Sequence, residues 1–589
     1  MSVLLRNKLG VACPATRFDE LGLYSPKHYR SKWRQLVLET FAGITMALGL
    51  VGESIAFSFL LHVGPLVALH ATWITVLVVA VLGSRPGTAN GADGVRAASL
   101  APFVLDFGVG ALFYAVLVIA GFFFLFAITK AYRLVKIIPH TAMVGFLNGL
   151  AIIIFKGQVE QLQVHNVGSN NTNQEIVWHS GPVLGWMFFE IILTMLLMFG
   201  LSKIPKIGEY IPGAIIAILT TTFFELIILR QTTEVQTPTI GTVGSIAGGF
   251  PQLFWKDPQY EGQIPIFTWD LFVSILWPSF STACACFIEI VLIMEFVDDA
   301  NQEQNRFPNR HIFAFGVANL VGGLMGTMGG ASLLSTTILF RKTGASGEYQ
   351  WPAFVTAGCL ILFVAVLSEY IAFIPTSALI GVMTMICIYT FQWDSLIIMF
   401  VALLPLRVRK RFKFTSTMKI KRFDALVIAV VSILTPLVNL FVAVLAGVLL
   451  TSVFVVVNSG NQLHVSSVEH SDETTVTIHI EGQLNFASTA RFSKKVLHVL
   501  AEGDKVTTVK IEFHKSTVAI QDYSALHTLN ALGFKLKPRN QQLILVNLDV
   551  FSRKFVTRAD SLRVHFAVQE DEPSSTKDND DDDDEDGIL

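Results

Sequence analysis

The chain has 589 residues, of which 52% are hydrophobic and only 15% charged, with a formal net charge of −2. A soluble protein of this length carries roughly a quarter charged residues, and apolar runs at 112–127, 183–201, 214–229 and 425–457 have bilayer character. A soluble globular protein and a nucleic-acid binder are excluded, which leaves a polytopic membrane protein. The five cysteines are too scattered for a disulfide framework, and Cys284-Ala-Cys286 has no nearby histidine or further thiol to make a metal site.

Residues 1–35 are mixed and partly basic, ending Lys27-His-Tyr-Arg-Ser-Lys-Trp-Arg34. They contain no apolar core followed by a small-residue cleavage site, so they read as a cytoplasmic lead-in, with the first membrane segment starting insertion. Apolar segments fill 36–457, about fourteen by this division, several short or interrupted at Pro139, Pro212 and Pro375. Lys130, Arg133, Lys136, Lys203, Lys206, Arg341, Lys342 and the basic stretch 407–422 then fall on the inner side. The opposite loops agree, since 159–182 has no lysine or arginine and 231–268 has only Lys256. Asn170-Asn-Thr172 in the first of these is a glycosylation sequon, which makes Asn170 a candidate acceptor in a secretory-pathway host.

Beyond 457 the pattern changes. Residues 474–481, 508–513 and 542–546 read as strands and 491–500 and 523–532 as helices, which predicts a small cytoplasmic α/β domain over 462–570. The tail 571–589 holds ten acidic residues and one lysine, a local charge of −9 that leaves +7 for the rest. It reads as a solvated, disordered segment.

Two glycine-broken stretches stand at matching places in the two halves of the membrane region. One is Gly83-Ser-Arg-Pro-Gly-Thr-Ala-Asn-Gly-Ala-Asp-Gly94 and the other Gly322-Gly-Leu-Met-Gly-Thr-Met-Gly-Gly-Ala-Ser332. Each leads into an apolar run too short for a comfortable full crossing. Such paired interruptions point to a transporter's midplane site, because a half-helix starting there aims backbone N–H groups and a positive dipole end at whatever binds. Two intramembrane carboxylates, Glu53 and Glu289, are costly enough to require a role. Both are candidate coupling-ion residues, and protonating Glu53 would remove a negative charge that opposes an anion.

Several motifs resemble one family. Gly52-Glu-Ser-Ile-Ala-Phe-Ser58 is similar to the Pro-Glu-Ser/Gly-Ile-Ala-Phe/Tyr-Ser signature of the SulP anion permeases (solute carrier family 26), with Gly52 where proline is usual. Ile138-Pro-His-Thr-Ala-Met-Val-Gly-Phe-Leu-Asn-Gly149 resembles their fifth-helix motif. Phe287-Ile-Glu289 with Asp298 resembles the eighth helix, and Gly326-Thr-Met-Gly-Gly-Ala331 the start of the tenth. The region after 457 resembles a STAS domain. The likeness covers about 25 to 570 in consistent order. It implies an all-α membrane domain built as a seven-plus-seven inverted repeat with core and gate parts, a C-terminal STAS domain, and a homodimer formed through both.

By that resemblance a small inorganic anion sits between the facing N-termini of the third and tenth half-helices. The candidate substrate residues are Asp93 and Gly94 on one side, Gly329, Gly330, Ala331 and Ser332 on the other, and Phe57 as a wall. Glu289 matches the acid that some members use for sodium or proton coupling. The hydroxyl that one bicarbonate-transporting member has four residues later is Ile293 here, which argues for a proton over sodium. Relatives place a small or hydroxyl residue where this chain has Asp93. The aspartate either caps the half-helix facing away from the anion, is protonated during transport, or accompanies an unusual substrate. Arg96, three residues on, is its candidate ion-pair partner. Thr336 stands where chloride-exchanging vertebrate members carry an arginine. Glu295, Asp298 and Asp299 read as a cytoplasmic amphipathic stretch. Ser524, in Ile520-Gln-Asp-Tyr-Ser-Ala525, matches a phosphorylated serine of bacterial STAS proteins and is a candidate regulatory residue.

The expected function is secondary-active transport of sulfate, with bicarbonate second, coupled to protons or else sodium. An anion channel or exchanger and a STAS-based anion sensor are the alternatives. No enzyme activity, resident cofactor, metal or nucleic-acid partner is expected. The expected setting is a multi-pass protein in contact with membrane lipid, in the plasma membrane, with both termini cytoplasmic.

Overall fold

In the computed structural model the described residues run from 33 to 569, apart from 136, 168–173, 202–212, 234, 244–248, 302–307, 343–346, 367–369, 371, 405–421, 439, 473, 502–505, 514–519, 521, 560–563. The sequon residue Asn170, Pro212 and the acidic tail lie outside them. The chain divides into two compact units, Met1–Val448 and Leu449–Leu589. That division falls within one apolar helix, Leu440–Gln462, earlier than the composition change at 457.

The first unit is helical. Its elements are α1 (Trp33–Leu60), α2 (Pro65–Val81), β1 (Ala89–Gly91), α3 (Gly94–Phe107), α4 (Val109–Thr129) and α5 (His140–Glu160). The hairpin β2 (Gln163–Val167) and β3 (Gln174–Trp178) follows, then α6 (Gly181–Leu201) and α7 (Gly213–Phe223), which runs on as a π-helical turn, Phe224–Leu229. The second half contains α8 (Trp269–Asn301), α9 (Pro308–Leu324), β4 (Ala331–Leu333), α10 (Leu334–Lys342) and α11 (Trp351–Val366). It closes with α12 (Thr376–Thr390), α13 (Trp393–Leu403), α14 (Arg422–Leu437) and α15 (Leu440–Gln462).

Among the described residues, six helices are long and apolar enough to cross a membrane alone, and α12 and α13 reach that length only together, bent by 45° at their break. Proline sets two of the starts. Pro139 and Pro375 stand at the N-caps of α5 and α12, where a residue with no free N–H costs nothing. The helices pack in two groups. In one, α4 lies against α8 and α9, and α11 against α1 and α2; in the other, α6 lies against α7 and α12, and α5 against α14. The first group carries both glycine-broken stretches and corresponds to the expected core, the second to the gate.

The second unit is a five-stranded sheet in the order β5 (His464–Asp472), β6 (Thr475–Glu481), β7 (Thr508–Phe513), β8 (Gln542–Val546), β9 (Ala567–Val568). β6 to β9 run parallel and β5 is antiparallel to β6. Helices α16 (Thr489–Ala501), α17 (Tyr523–Leu536) and α18 (Val550–Arg558) complete it. Alternating residues such as Val476, Ile478, Val509 and Ile511 bury against Phe492, Val496, Leu526 and Leu529. The three expected strands and two expected helices are present. β5, α18 and β9 were not foreseen, because β5 has apolar residues at only two of nine positions and so lacks the alternation of a half-buried strand.

Candidate functional site

The two glycine-broken stretches meet. β1 and β4 pair antiparallel, with Ala89 opposite Leu333, Asn90 opposite Ser332 and Gly91 opposite Ala331. Extended backbone at membrane depth survives only when its polar groups are satisfied within the protein, and the pairing does this for both stretches. β1 leads into the half-helix α3 and β4 into α10, so two helix N-termini start from one small ladder. Glycine is required by the crowding there. Gly329 has φ +70°, and a Cβ on it would collide with the Arg96 guanidinium and the Asn319 amide; a Cβ on Gly330 would collide with the Thr75 hydroxyl and Gly91 O.

Asp93 is the N-cap of α3. Its Oδ1 accepts from Val95 N at 2.8 Å and its Oδ2 from Arg96 N at 3.2 Å, so the carboxylate occupies the donors that open this half-helix. The Cys286 thiol donates to the same Oδ2 at 3.2 Å. Cys286 thus serves as a weak donor to this carboxylate. Gly94, the first residue of α3, lies under the Phe57 ring, where a Cβ would come within 2.8 Å of it. Phe57 is buried over this turn, whereas Phe103 packs with Ala111, Ala115 and Ile275.

The expected Asp93–Arg96 ion pair does not form. Arg96, wholly buried, turns its guanidinium to the other glycine stretch. Nη1 donates to Asn319 Oδ1 and to Met328 O (3.1 Å), and Nη2 to Gly330 O (3.1 Å). Asp93 is already engaged by backbone donors, and the carbonyls of an extended loop in an apolar interior need a partner. A buried cation bridging the two stretches meets that need.

The glycine cradle is also used differently from expectation. Gly329 N donates to Thr327 Oγ1 (3.3 Å) and Gly330 N to Asn319 Oδ1 (3.0 Å), so both N–H groups read as anion donors have partners within the protein. Ala331 is the first residue of β4, and Ser332 donates to Asn90 Oδ1 at 3.0 Å across the ladder. The hydroxyls at the start of α10 face a carboxylate: Ser335 Oγ donates to Glu53 Oε1 at 2.9 Å and Thr336 Oγ1 to Glu53 Oε2 at 2.8 Å. Glu289 faces Asp93 and, farther off, Glu53. Asp93, Glu53 and Glu289 thus converge where α3 and α10 begin.

The stretch expected to be cytoplasmic and amphipathic is corrected at Asp298, which is buried and joined to buried Arg85 at 2.6 Å. Asn319, Ser335 and Cys286 were not foreseen as part of the site. The four-residue step from Phe315 to Asn319 on a glycine-rich helix and the Ser-Thr-Thr run after Leu334 were the available signals. In the second unit, Asp522 caps α17, accepting from Ala525 N (2.8 Å) and from Phe486 N (2.6 Å). Ser524 is exposed on the first turn.

Comparison with known proteins places this geometry. The family described as Sulfate permease family matches residues 36–401. YbaR of Bacillus subtilis (strain 168) is 28% identical over 520 residues, covering 88% of this chain and 96% of that one. The bicarbonate transporter BicA of Synechocystis sp. (strain ATCC 27184 / PCC 6803 / Kazusa) is 24% identical over 441 residues, covering 72% and 70%. Among solved structures, the murine Slc26a9 anion transporter in its inward-facing state is similar with a TM-score of 0.71 at 14% identity, covering 96% of this chain and 95% of that one. The transmembrane domain of a cyanobacterial BicA gives 0.54 at 19% identity, over 71% of this chain and 98% of that one. The chain is a multi-pass membrane protein of the sulfate permease family, an anion transporter of a family made up of transporters rather than enzymes.

Proposed function

We propose that this protein carries sulfate across the membrane together with protons, binding the anion where α3 and α10 begin. One observation carries the reading: each half-helix start is engaged by a carboxyl group of the chain itself, Asp93 at α3 and Glu53 at α10. An arriving anion competes with both. Protonating Glu53 removes one opposing charge and frees the Ser335 and Thr336 hydroxyls to turn toward the anion, so proton and anion binding favour each other. Glu289, facing Asp93, is the second coupling residue. The Arg96 guanidinium behind the Met328 and Gly330 carbonyls adds fixed positive potential from the α3 side, in place of the arginine that Thr336 replaces.

Sulfate is supported by the family and by "Sulfate transporter 4.1, chloroplastic" of Arabidopsis thaliana, 22% identical over 588 residues. Bicarbonate is the second reading, favoured by the BicA relatives. The protein works as a homodimer in the plasma membrane with cytoplasmic termini, and Ser524 is a regulatory position on the C-terminal unit. Radiolabelled sulfate and bicarbonate uptake into proteoliposomes, with imposed proton or sodium gradients, tests the proposal. Sulfate accumulation driven by an inward proton gradient is expected. Uptake of sulfate that ignores both gradients overturns the coupling, and preference for bicarbonate overturns the substrate.

A further inference from the structure

The gate group of helices buries two carboxyl groups that the anion site does not use. Glu190 lies midway along α6 and Glu225 on the π-helical turn after α7, and neither has any exposed surface. A π turn inserts an extra residue into the helical repeat and recurs at functional sites; here it carries Glu225 to within hydrogen-bond reach of Glu190. Each carboxyl is satisfied on one side only. Ser377 of α12 donates to Glu190 Oε2, while Arg230 Nε (3.1 Å) and Thr237 N (3.3 Å) donate to Glu225 Oε1. Glu190 Oε1, Glu225 Oε2 and the buried Thr237 hydroxyl have no hydrogen-bond partner among the described residues.

The other groups facing the pair are hydroxyls: Ser377 on α12, bonded to Glu190, and Thr237, whose side chain lies beside Glu190. Arg230 is the one cation paired with the cluster among the described residues. Two carboxylates against one guanidinium leave one uncompensated negative charge in an apolar interior, and the Thr237 hydroxyl beside them brings a single proton for two open carboxyl oxygens. Both defects have a single remedy, because one proton supplies the donor and brings the cluster to neutrality. A bound metal cation is disfavoured because, among the described residues, no group of three or more His, Cys, Asp or Glu side chains is assembled to hold one.

We propose that Glu190 and Glu225 bind one proton between them, forming a proton site in the gate group separate from the anion site. With the proton bound, α6, the π turn and α12 close around a neutral hydrogen-bonded pair; without it the two carboxylates repel and these elements loosen.

The test uses the full-length protein reconstituted in lipid. In wild type the melting temperature falls from neutral to alkaline pH, and the infrared spectrum contains a protonated-carboxyl C=O band assignable to the pair. Glu190→Gln, which keeps a donor facing Glu225, is expected to lose that band and the alkaline fall in melting temperature. Proton-driven uptake through Glu53 persists, so failure here and failure of the transport proposal are separable. Glu225→Gln leaves Glu190 as the single carboxyl of the cluster, with the new amide as a donor facing it, and is expected to remove the same band, a second route should the first variant not fold. An unchanged band and unchanged alkaline instability in the variants overturn the proposal. So does a wild-type alkaline instability that sodium rescues.

Discussion

The two half-helix starts share a ladder but hold their carboxyl groups by different means. At α3, Asp93 is bound by backbone N–H groups of its own helix, donors that cannot rotate away. At α10, Glu53 comes from another helix, α1, and is bound by the hydroxyls of Ser335 and Thr336, which turn about a single bond. Backbone donors give permanence and hydroxyl donors give exchange. In the proposed function the α3 side is therefore the fixed half of the site, and the α10 side the half that responds to anion and proton.

The largest effect that would break this contrast is expected at Arg96, which ties the two sides together. Arg96→Met leaves Met328 O and Gly330 O buried without their cationic donor and should cost about 3 kcal/mol or more in stability. Thermal unfolding of the purified protein reads this, and an unchanged melting temperature would show that the guanidinium is not the clamp. Glu53→Gln should leave folding intact while proton-driven accumulation falls about tenfold, a typical coupling energy. Equal pH dependence in variant and wild type would move the coupling role elsewhere.

Smaller effects sharpen the fixed side. Asp93→Ala removes the α3 cap and should cost about 1 kcal/mol, whereas Asp93→Asn keeps an N-cap acceptor and should cost a few tenths. The asparagine variant should also bind anion more tightly, measured by isothermal titration, because a negative charge has gone. Unchanged anion binding would mean that Asp93 faces away from the substrate. Smallest of all, Cys286→Ala removes a weak donor to Asp93 and should cost about 0.5 kcal/mol, with proton coupling unchanged.

What was legible in the sequence was local. The Gly83–Gly94 and Gly322–Ser332 interruptions, the proline starts at Pro139 and Pro375, and the strands 508–513 and 542–546 are each set by residues within one stretch, and each is present. What was not legible joins distant residues. Glu53 meets Thr336 across 283 positions and Arg96 meets Met328 across 232, and no periodicity in either segment specifies such a contact. The short spacing of Asp93 and Arg96 misled for the same reason. An i, i+3 step makes a pair available, but the extended loop opposite presented the stronger demand for a buried donor. Asp298 reads as solvated in the sequence because its partner, Arg85, lies 213 positions away. The π turn at Phe224–Leu229 leaves no trace in a run of apolar residues.

The ladder of residues 89–91 and 331–333 has a consequence for how the site opens. Parting the two strands would strip hydrogen bonds from backbone surrounded by apolar matter, at several kcal/mol for each group left bare. Arg96 and the Ser332–Asn90 bond reinforce it, so in the proposed function this seam stays shut. On that proposal cargo and cradle travel as one piece, and alternating exposure falls to the surfaces around that piece, which slide without the seam being undone.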